Sequence, residues 1–502
     1  MFLAVGVLWT LALASAQQLN LVHEWNLVTY NTPRGYPGQE FFLANRTIIT
    51  STEVGFDRQF FAIPKIWSDN PATLVSIPKN SAEKGPIFEA YPSWDWHVQG
   101  VKGQPKTPTT CSGFVNVFRL RVDRCGRLWA LDCGILDSYV APDPICPPKL
   151  IAFDLHTHRE VKRIEIPKSV LLANSLLSNF QVDDTDEFGN TPEGNCDVGH
   201  IYISDIAAPA VIVYNVKTTE IWRHFDPAFY PHPDHGKFTV AGDSFVLMDG
   251  IIGTALSNPG PQRDFFWHPM SSNSIFAVST AALKVPPAAS DPDPLPVRKL
   301  GEKSSQSIPL AYDPVTEALV FSPATECALV SWKLGEKNYR LLAYDPVTLQ
   351  WISEIRPAIL DDNHIWVVSS RLQKYEHNTV NPNEVNQRLF RLERAQHPRN
   401  LGFSPVSPTS PCSTRNPSRL PSPTTLSRII SSPSPPPRSR NPRGKRDTPR
   451  SRALRLRSAI RGIELNSTLI GRHFGIRDYD FWLMHKTPMC LGKLIARRLF
   501  LQ

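Results

Sequence analysis

Between Leu19 and Arg394 one unit recurs: a short β-rich strand, a tight turn carrying Asp or Gly, a second strand, a longer loop, then a third and usually a fourth strand. "VFRLRVD-RCG-RLWALD" is followed by "KLIAFDL" and "EVKRIEIP", and "SNFQVDD" by "HIYISDI", "AVIVYNV" and "EIWRHF". "GIIGTAL" leads to "DFFWHPM" and "SIFAVST", "SIPLAYDPVTEALVFSPA" to "CALVSWKL" and "YRLLAYD", and "WISEIRPAI" pairs with "HIWVVSS". "RTIITSTE", with "RQFFAIPKI" and "ATLVSIP", stands ahead of them. Helical periodicity is nearly absent, while short strands bounded by Gly, Pro, Asn and Asp recur. The six first strands fall at 47–53, 116–122, 178–184, 250–256, 305–312 and 351–357. A period of about 45–70 residues fits propeller blades better than a sandwich. The expectation is therefore an all-β fold, a single six-bladed β-propeller spanning residues 17–395. The last unit lacks an evident fourth strand, and "LNLVHEWNLVTY" is a strand without a sheet. Placing it on the last sheet closes the ring and hides an exposed edge.

The two ends differ from this middle. "MFLAVGVLWTLALASAQQ" has an apolar core too short to span a bilayer, followed by the small residues Ala14-Ser15-Ala16. This reads as a secretory signal peptide, residues 1–16, and no other stretch is long and apolar enough for a membrane span. The net charge of +8 resides at the other end: residues 396–502 carry 20 Lys+Arg and 4 Asp+Glu. The totals of 54 and 46 then leave 34 basic and 42 acidic residues in the first 395. A tail reading "SPSPPPRSRNPRGKRDTPRSR" buries too little apolar surface to offset its ordering entropy, so it is expected to be disordered. Behind a secretory signal, such a basic run reads as a solvated extension or a doubtful gene end, not a nucleic-acid binder.

Eight cysteines in a secreted chain favour disulfides. Cys125 lies in the turn between first and second strands of its unit and Cys133 ends the second strand. Eight extended residues separate them by roughly 26 Å, whereas a disulfide needs Cα atoms within about 7 Å. Cys111 and Cys146 share a rim with Cys133, and Cys196 shares the opposite rim with Cys125. The expected pairs are Cys111–Cys146 within a blade and Cys125–Cys196 between blades, with Cys133 an alternative to Cys111 and Cys327 a buried thiol.

The segments "CSGFVNVFRLRVDRCGRLWALDCG", "CPPKLIAFDL", "IYISDIAAPAVIVYNV", "FTVAGDSFVLMDGIIGTALS", "IWVVSSRLQKY" and "NPNEVNQRLFRL" resemble the insect yellow/major royal jelly protein family, in order and over nearly all of Leu19 to Arg394. The resemblance implies a six-bladed propeller. It also implies one of two roles: dopachrome-type conversion in pigmentation or cuticle biology, or non-catalytic binding of biogenic amines, storage or structure. Either catalytic or binding role places a small aromatic ligand (catechol, indole or amine) in the central channel, with no cofactor. Two departures stand out. "ISEIRPAILDDNHIWVVSS" is short for the family, implying a compressed hairpin, and the tail after Gln396 has no counterpart.

An isomerase of this type needs a general base and a donor for developing negative charge. The sequence shows no Ser-His-Asp arrangement, phosphate loop or HExxH. His232 and His235 in "PHPDH", and His156 and His158 in "HTH", read as turn residues rather than metal ligands. Topology nominates Glu53, Asn179, Asp249, Gln306, Trp366 and Arg371 as channel candidates. The carboxylates suit a cationic amine, and Trp366 offers a cation–π face. Against this, polar residues on inner strands commonly bond neighbouring blades, and Trp129 and Trp366 occupy matching second strands where packing between blades explains both. Asn45 in "NRT" is the expected glycosylation acceptor, and Asn466 in "NST" also matches the motif.

Overall fold

The computed structural model describes residues 18–67, 70–101, 111–186, 189–190, 195–288 and 294–393. The expected signal peptide, the basic tail and Asn466 lie outside the described residues.

Six four-stranded antiparallel sheets form the blades of a β-propeller. Their inner strands are Ser51–Val54, Val117–Val122, Leu177–Asp183, Ile251–Leu256, Leu310–Asp313 and Trp351–Pro357, and define blades 1 to 6. Each inner strand contacts the next, and that of blade 6 contacts that of blade 1, so the ring is closed. The expected strand positions hold, except that two strands begin four to five residues late: blade 1 at Ser51 rather than 47, and blade 5 at Leu310 rather than 305. In blade 5 the ladder starts only at Leu310, directly after Pro309, which has no N–H to donate.

Apolar side chains fill every boundary between blades. Because successive residues of a strand face opposite ways, Leu128 and Ala130 enter the core shared with blade 1, while Trp129 and Leu131 enter the core shared with blade 3. Both faces of each blade are thus covered, and the second strands read as continuous apolar runs rather than alternating ones. Equivalent cores join blades 3 and 4 (Val211, Phe265), 4 and 5 (Phe266, Leu319) and 5 and 6 (Leu329, Val367).

The last boundary is where the chain ends meet. Blade 6 comprises Trp351–Pro357, Ile365–Ser370, Gln387–Leu392 and, outermost, Leu19–Trp25. The first described strand pairs antiparallel with the last, Leu19 opposite Leu392 and Trp25 opposite Gln387. The compressed connection is a single 3-10 turn, Ile359–Asp361, and the sheet is complete around it.

Disulfides join Cys111 to Cys146 and Cys125 to Cys196. The second ties blade 2 to the loop preceding the second strand of blade 3. Among the described residues Cys133 and Cys327 are free, buried thiols. The motif around Cys125 and Cys133 is scaffold throughout. Asp123 accepts from the backbone of Cys125 and Arg127 and from Trp129 Nε1, and buried Asp132 accepts from the backbone of Val115, Asn116 and Gly134. Lys149 Nζ lies 3.0 Å from Asp132.

Candidate site at the propeller axis

Four inner strands carry a register shift at the same place: Val117/Arg119, Leu177/Asn179, Ile251/Gly253 and Ile352/Glu354. A bulge turns the residue after it toward a new direction. At three of the four positions that residue is polar, and all three enter one buried network.

Glu354 of blade 6 is its hub. Its Oε2 accepts from Ser51 Oγ of blade 1 at 2.7 Å and from Arg121 Nη1 of blade 2 at 3.3 Å, with Arg119 Nε at 3.9 Å. Arg121 also donates to the carbonyls of Leu120 and Phe180 and, at 2.7 Å, to Asn179 Oδ1 of blade 3. Asn179 and Gln181 pass the chain to blade 4 through the carbonyls of Ile252 and Thr254. Beside this chain Glu53 of blade 1 accepts from Arg356 Nε of blade 6 at 2.5 Å.

The fourth bulged position is Gly253, where a Cβ would collide with the imidazole of His268. That ring, from the second strand, takes the space a side chain would fill, and its Nε2 lies 3.2 Å from the Ile308 carbonyl.

Burial sets the electrostatics. Desolvation draws the Arg121 guanidinium down to about 10, although Glu354 and Glu53 oppose it. Burial likewise lowers Arg119 and raises the Glu53 carboxyl, against the pull of Arg356 and Arg121. Three guanidiniums (119, 121, 356) face two carboxylates (53, 354), so the set carries a surplus of one positive charge when all are ionised.

The rim where inner strands begin is covered by apolar packing. Ile48, Leu176, Ile252, Ile308, Trp351 and Tyr375 form one cluster with Phe238 and Phe245 of a hairpin, Lys237–Val240 paired with Asp243–Val246. Phe238 and Phe245 stack at 5.5 Å and both meet Trp351.

The six nominated residues separate into three groups. Glu53 and Asn179 are in the axial network. Asp249, Gln306 and Arg371 stand at the covered rim. The backbone N–H of Asp249 bonds Ser271 Oγ, Gln306 Nε2 donates to the carbonyls of His235 and Lys237, and Arg371 bonds Gln350 and Glu384. Trp366 lies in the core between blades 6 and 1, its Nε1 on Asp361. Sequence reading missed Arg119, Arg121, Glu354 and Arg356. Their signal was present as charged residues at alternate positions of two inner strands, "FRLRV" and "SEIRP". Exposed Asn45 sits in a 3-10 turn, Ala44–Arg46. His232 caps another such turn, Pro233–His235, and His235 is its last residue.

A sequence model described as "Major royal jelly protein" matches residues 115–403. Dopaminechrome tautomerase of Drosophila melanogaster is 30% identical over 273 residues, covering 53% of this chain and 56% of that protein, so the match spans little more than half of that relative. Major royal jelly protein 9 of Apis mellifera is 28% identical, covering 66% of this chain and 79% of the relative. L-dopachrome tautomerase yellow-f of Drosophila melanogaster is 26% identical, covering 66% and 76%. With six blades closed by its first described strand and a family match over more than half its length, this chain belongs to the yellow/major royal jelly protein family.

Proposed function

We propose that this is a secreted yellow-like protein that converts aminochromes, the dopachrome-type precursors of melanin, at the propeller axis. The observation that carries the reading is the buried Glu53–Arg356–Arg121–Glu354 set in a chain similar to two proteins named dopaminechrome tautomerase and L-dopachrome tautomerase yellow-f. The reaction is a proton relocation that needs no oxidant. Two ring C–H bonds break, their electron pairs enter the ring system, and an O–H bond forms on each of the two quinone oxygens. Glu53, with its carboxyl raised by burial, suits the role of proton acceptor. The surplus guanidinium charge suits the negative charge that develops on oxygen.

The experiment is loss of visible absorbance of L-dopachrome and dopaminechrome with purified protein, against heat-inactivated protein. Acceleration that falls at least about 100-fold in Glu53→Gln supports the reading. No acceleration by the unaltered protein defeats it. A second reading, a non-catalytic binder of small aromatic amines, draws on a specific observation: Glu53 is already held by Arg356, and Glu354 by Arg121 and Ser51. Calorimetry showing saturable amine binding without conversion selects it, and neither signal points to storage or structure.

A further inference from the structure

The boundary that closes the ring is not filled to its edge. Between the closing strand and blade 1 lies a cavity of about 340 Å³ that shares no residue with the axial network. Its volume is at the lower end of the range for small-molecule sites, about 300–1,000 Å³.

Val22, Val54 and the Trp366 indole supply its apolar wall. The indole is fixed in place: Trp366 Nε1 donates to Asp361 Oδ2 at 2.8 Å, and Arg391 grips both oxygens of Asp361 at 2.7 and 3.1 Å. Glu393 accepts from Arg391 Nη1 and Asn20 and has His364 Nε2 at 3.5 Å. The two carboxylates are therefore committed to the wall.

Three groups keep unused capacity. The Lys79 side chain is exposed at the cavity and, among the described residues, its ammonium makes no hydrogen bond or ion pair, although the charges of Asp361 and Asp57 act on it. Buried His23 has Nδ1 at 2.9 Å from the Ala82 carbonyl. A carbonyl can only accept, so Nδ1 carries the proton and Nε2 is left as an acceptor. Gln59 donates Nε2 to Thr52 Oγ1, leaving Oε1 as a second acceptor. The vacancies are thus an ammonium donor at the mouth and two acceptors beside an aromatic wall.

We infer that this cavity in the closing seam is a binding site for a hydroxylated aromatic acid. The ring lies on Trp366, hydroxyl groups donate to His23 Nε2 and Gln59 Oε1, and the acid group meets Lys79. A cationic amine is disfavoured, because the carboxylates that would receive it are held by Arg391. The inference is independent of any chemistry at the axis.

The test is calorimetric titration of the full chain with 3,4-dihydroxyphenylacetate, with dopamine as the ring-matched amine. Saturable binding of the acid that weakens at least about tenfold in Lys79→Met, returns in Lys79→Arg and declines with salt supports the site, since an exposed ion pair is screened. Lys79 is exposed, so these variants keep the fold, and unchanged melting temperatures verify it. Aminochrome conversion, if present, stays unchanged in Lys79→Met. Equal affinity for dopamine, undiminished affinity in Lys79→Met, or no saturable heat up to millimolar acid overturns the inference.

Discussion

Arg356 holds Glu53 across the boundary of blades 6 and 1, a buried ion pair between residues 303 positions apart. Each side of the pair depends on the other. Removing the cation in Arg356→Met leaves a carboxylate uncompensated in a site that already raises its pKa, and should cost about 3–5 kcal/mol. Removing the orphaned carboxylate with Glu53→Gln in the same chain should recover much of that loss. The pH dependence has a definite sign. A carboxyl raised by burial binds its proton more tightly in the folded chain, so its contribution to stability is lost as pH rises from the ordinary value of 4.5 through the raised one. Melting curves of Arg356→Met should therefore fall with pH in that window more steeply than those of the double variant.

Trp25 is the anchor of the closing strand. It is almost fully buried, stacks on Phe88 at 5.3 Å, meets Phe61 edge-on and donates Nε1 to the Pro86 carbonyl. Trp25→Ala should destabilise by about 3–5 kcal/mol. Because the strand closes a ring, the loss should appear in hydrogen exchange first at blades 6 and 1. Uniform loss of protection across all six blades would argue against local opening at the seam.

The sequence made the ring legible because turn residues and two-residue alternation are local signals. Even closure followed from counting, since a lone first strand and a three-stranded last sheet complete each other. The site was less legible. Glu53 and Asn179 stand out as polar residues on inner strands, but nothing local in "FRLRV" says that Arg119 and Arg121 are buried. What buries them is Glu354, 233 positions from Arg121, delivered by ring closure. Trp366 packs between blades 6 and 1, as its matching position with Trp129 implies, and not at the axis, for which it is also nominated: alternation fixes two faces of a strand, not which neighbour each face meets.

Cys125–Cys196 ties neighbouring blades across 71 residues, and Cys111–Cys146 closes 35 within one blade. In the chain-entropy account the longer loop gains more, and each bond is worth about 2–5 kcal/mol. Replacing Cys125 and Cys196 together by Ser should lower the melting temperature more than replacing Cys111 and Cys146. The latter pair has a further consequence. With Cys111→Ser, the freed Cys146 thiol has Cys133 as a possible partner on the same rim, and thiol labelling after unfolding distinguishes a new bond from two free thiols.

Asn45 is exposed in its short turn, with the Thr47 hydroxyl already bonded to the Leu43 carbonyl and Asn70. Glycan addition precedes folding, so that bond is no obstacle. Protein secreted from insect cells should shift in mass on glycosidase treatment, and Asn45→Gln should remove a glycan while leaving the melting temperature unchanged.

Lys303 is buried at 3% exposure with one hydrogen bond from its ammonium, to the Ser272 carbonyl at 3.2 Å. Burial draws its pKa from 10.5 down to about 7, and its positive charge joins burial in lowering that of His268. Below pH 7 the ammonium is charged in both folded and unfolded chains, and the full desolvation cost opposes folding. Between 7 and 10.5 the unfolded chain holds a proton that the folded chain has released, so stability rises with pH. Lys303→Met removes the cost and fills similar space. It should stabilise the protein by about 2 kcal/mol at pH 6, a conservative figure for an unpaired buried ammonium. The advantage should shrink as pH climbs and vanish near 10.5. A melting-temperature difference that stays constant from pH 6 to pH 10 would show that Lys303 is solvated and paired in solution, contrary to its placement in the fold.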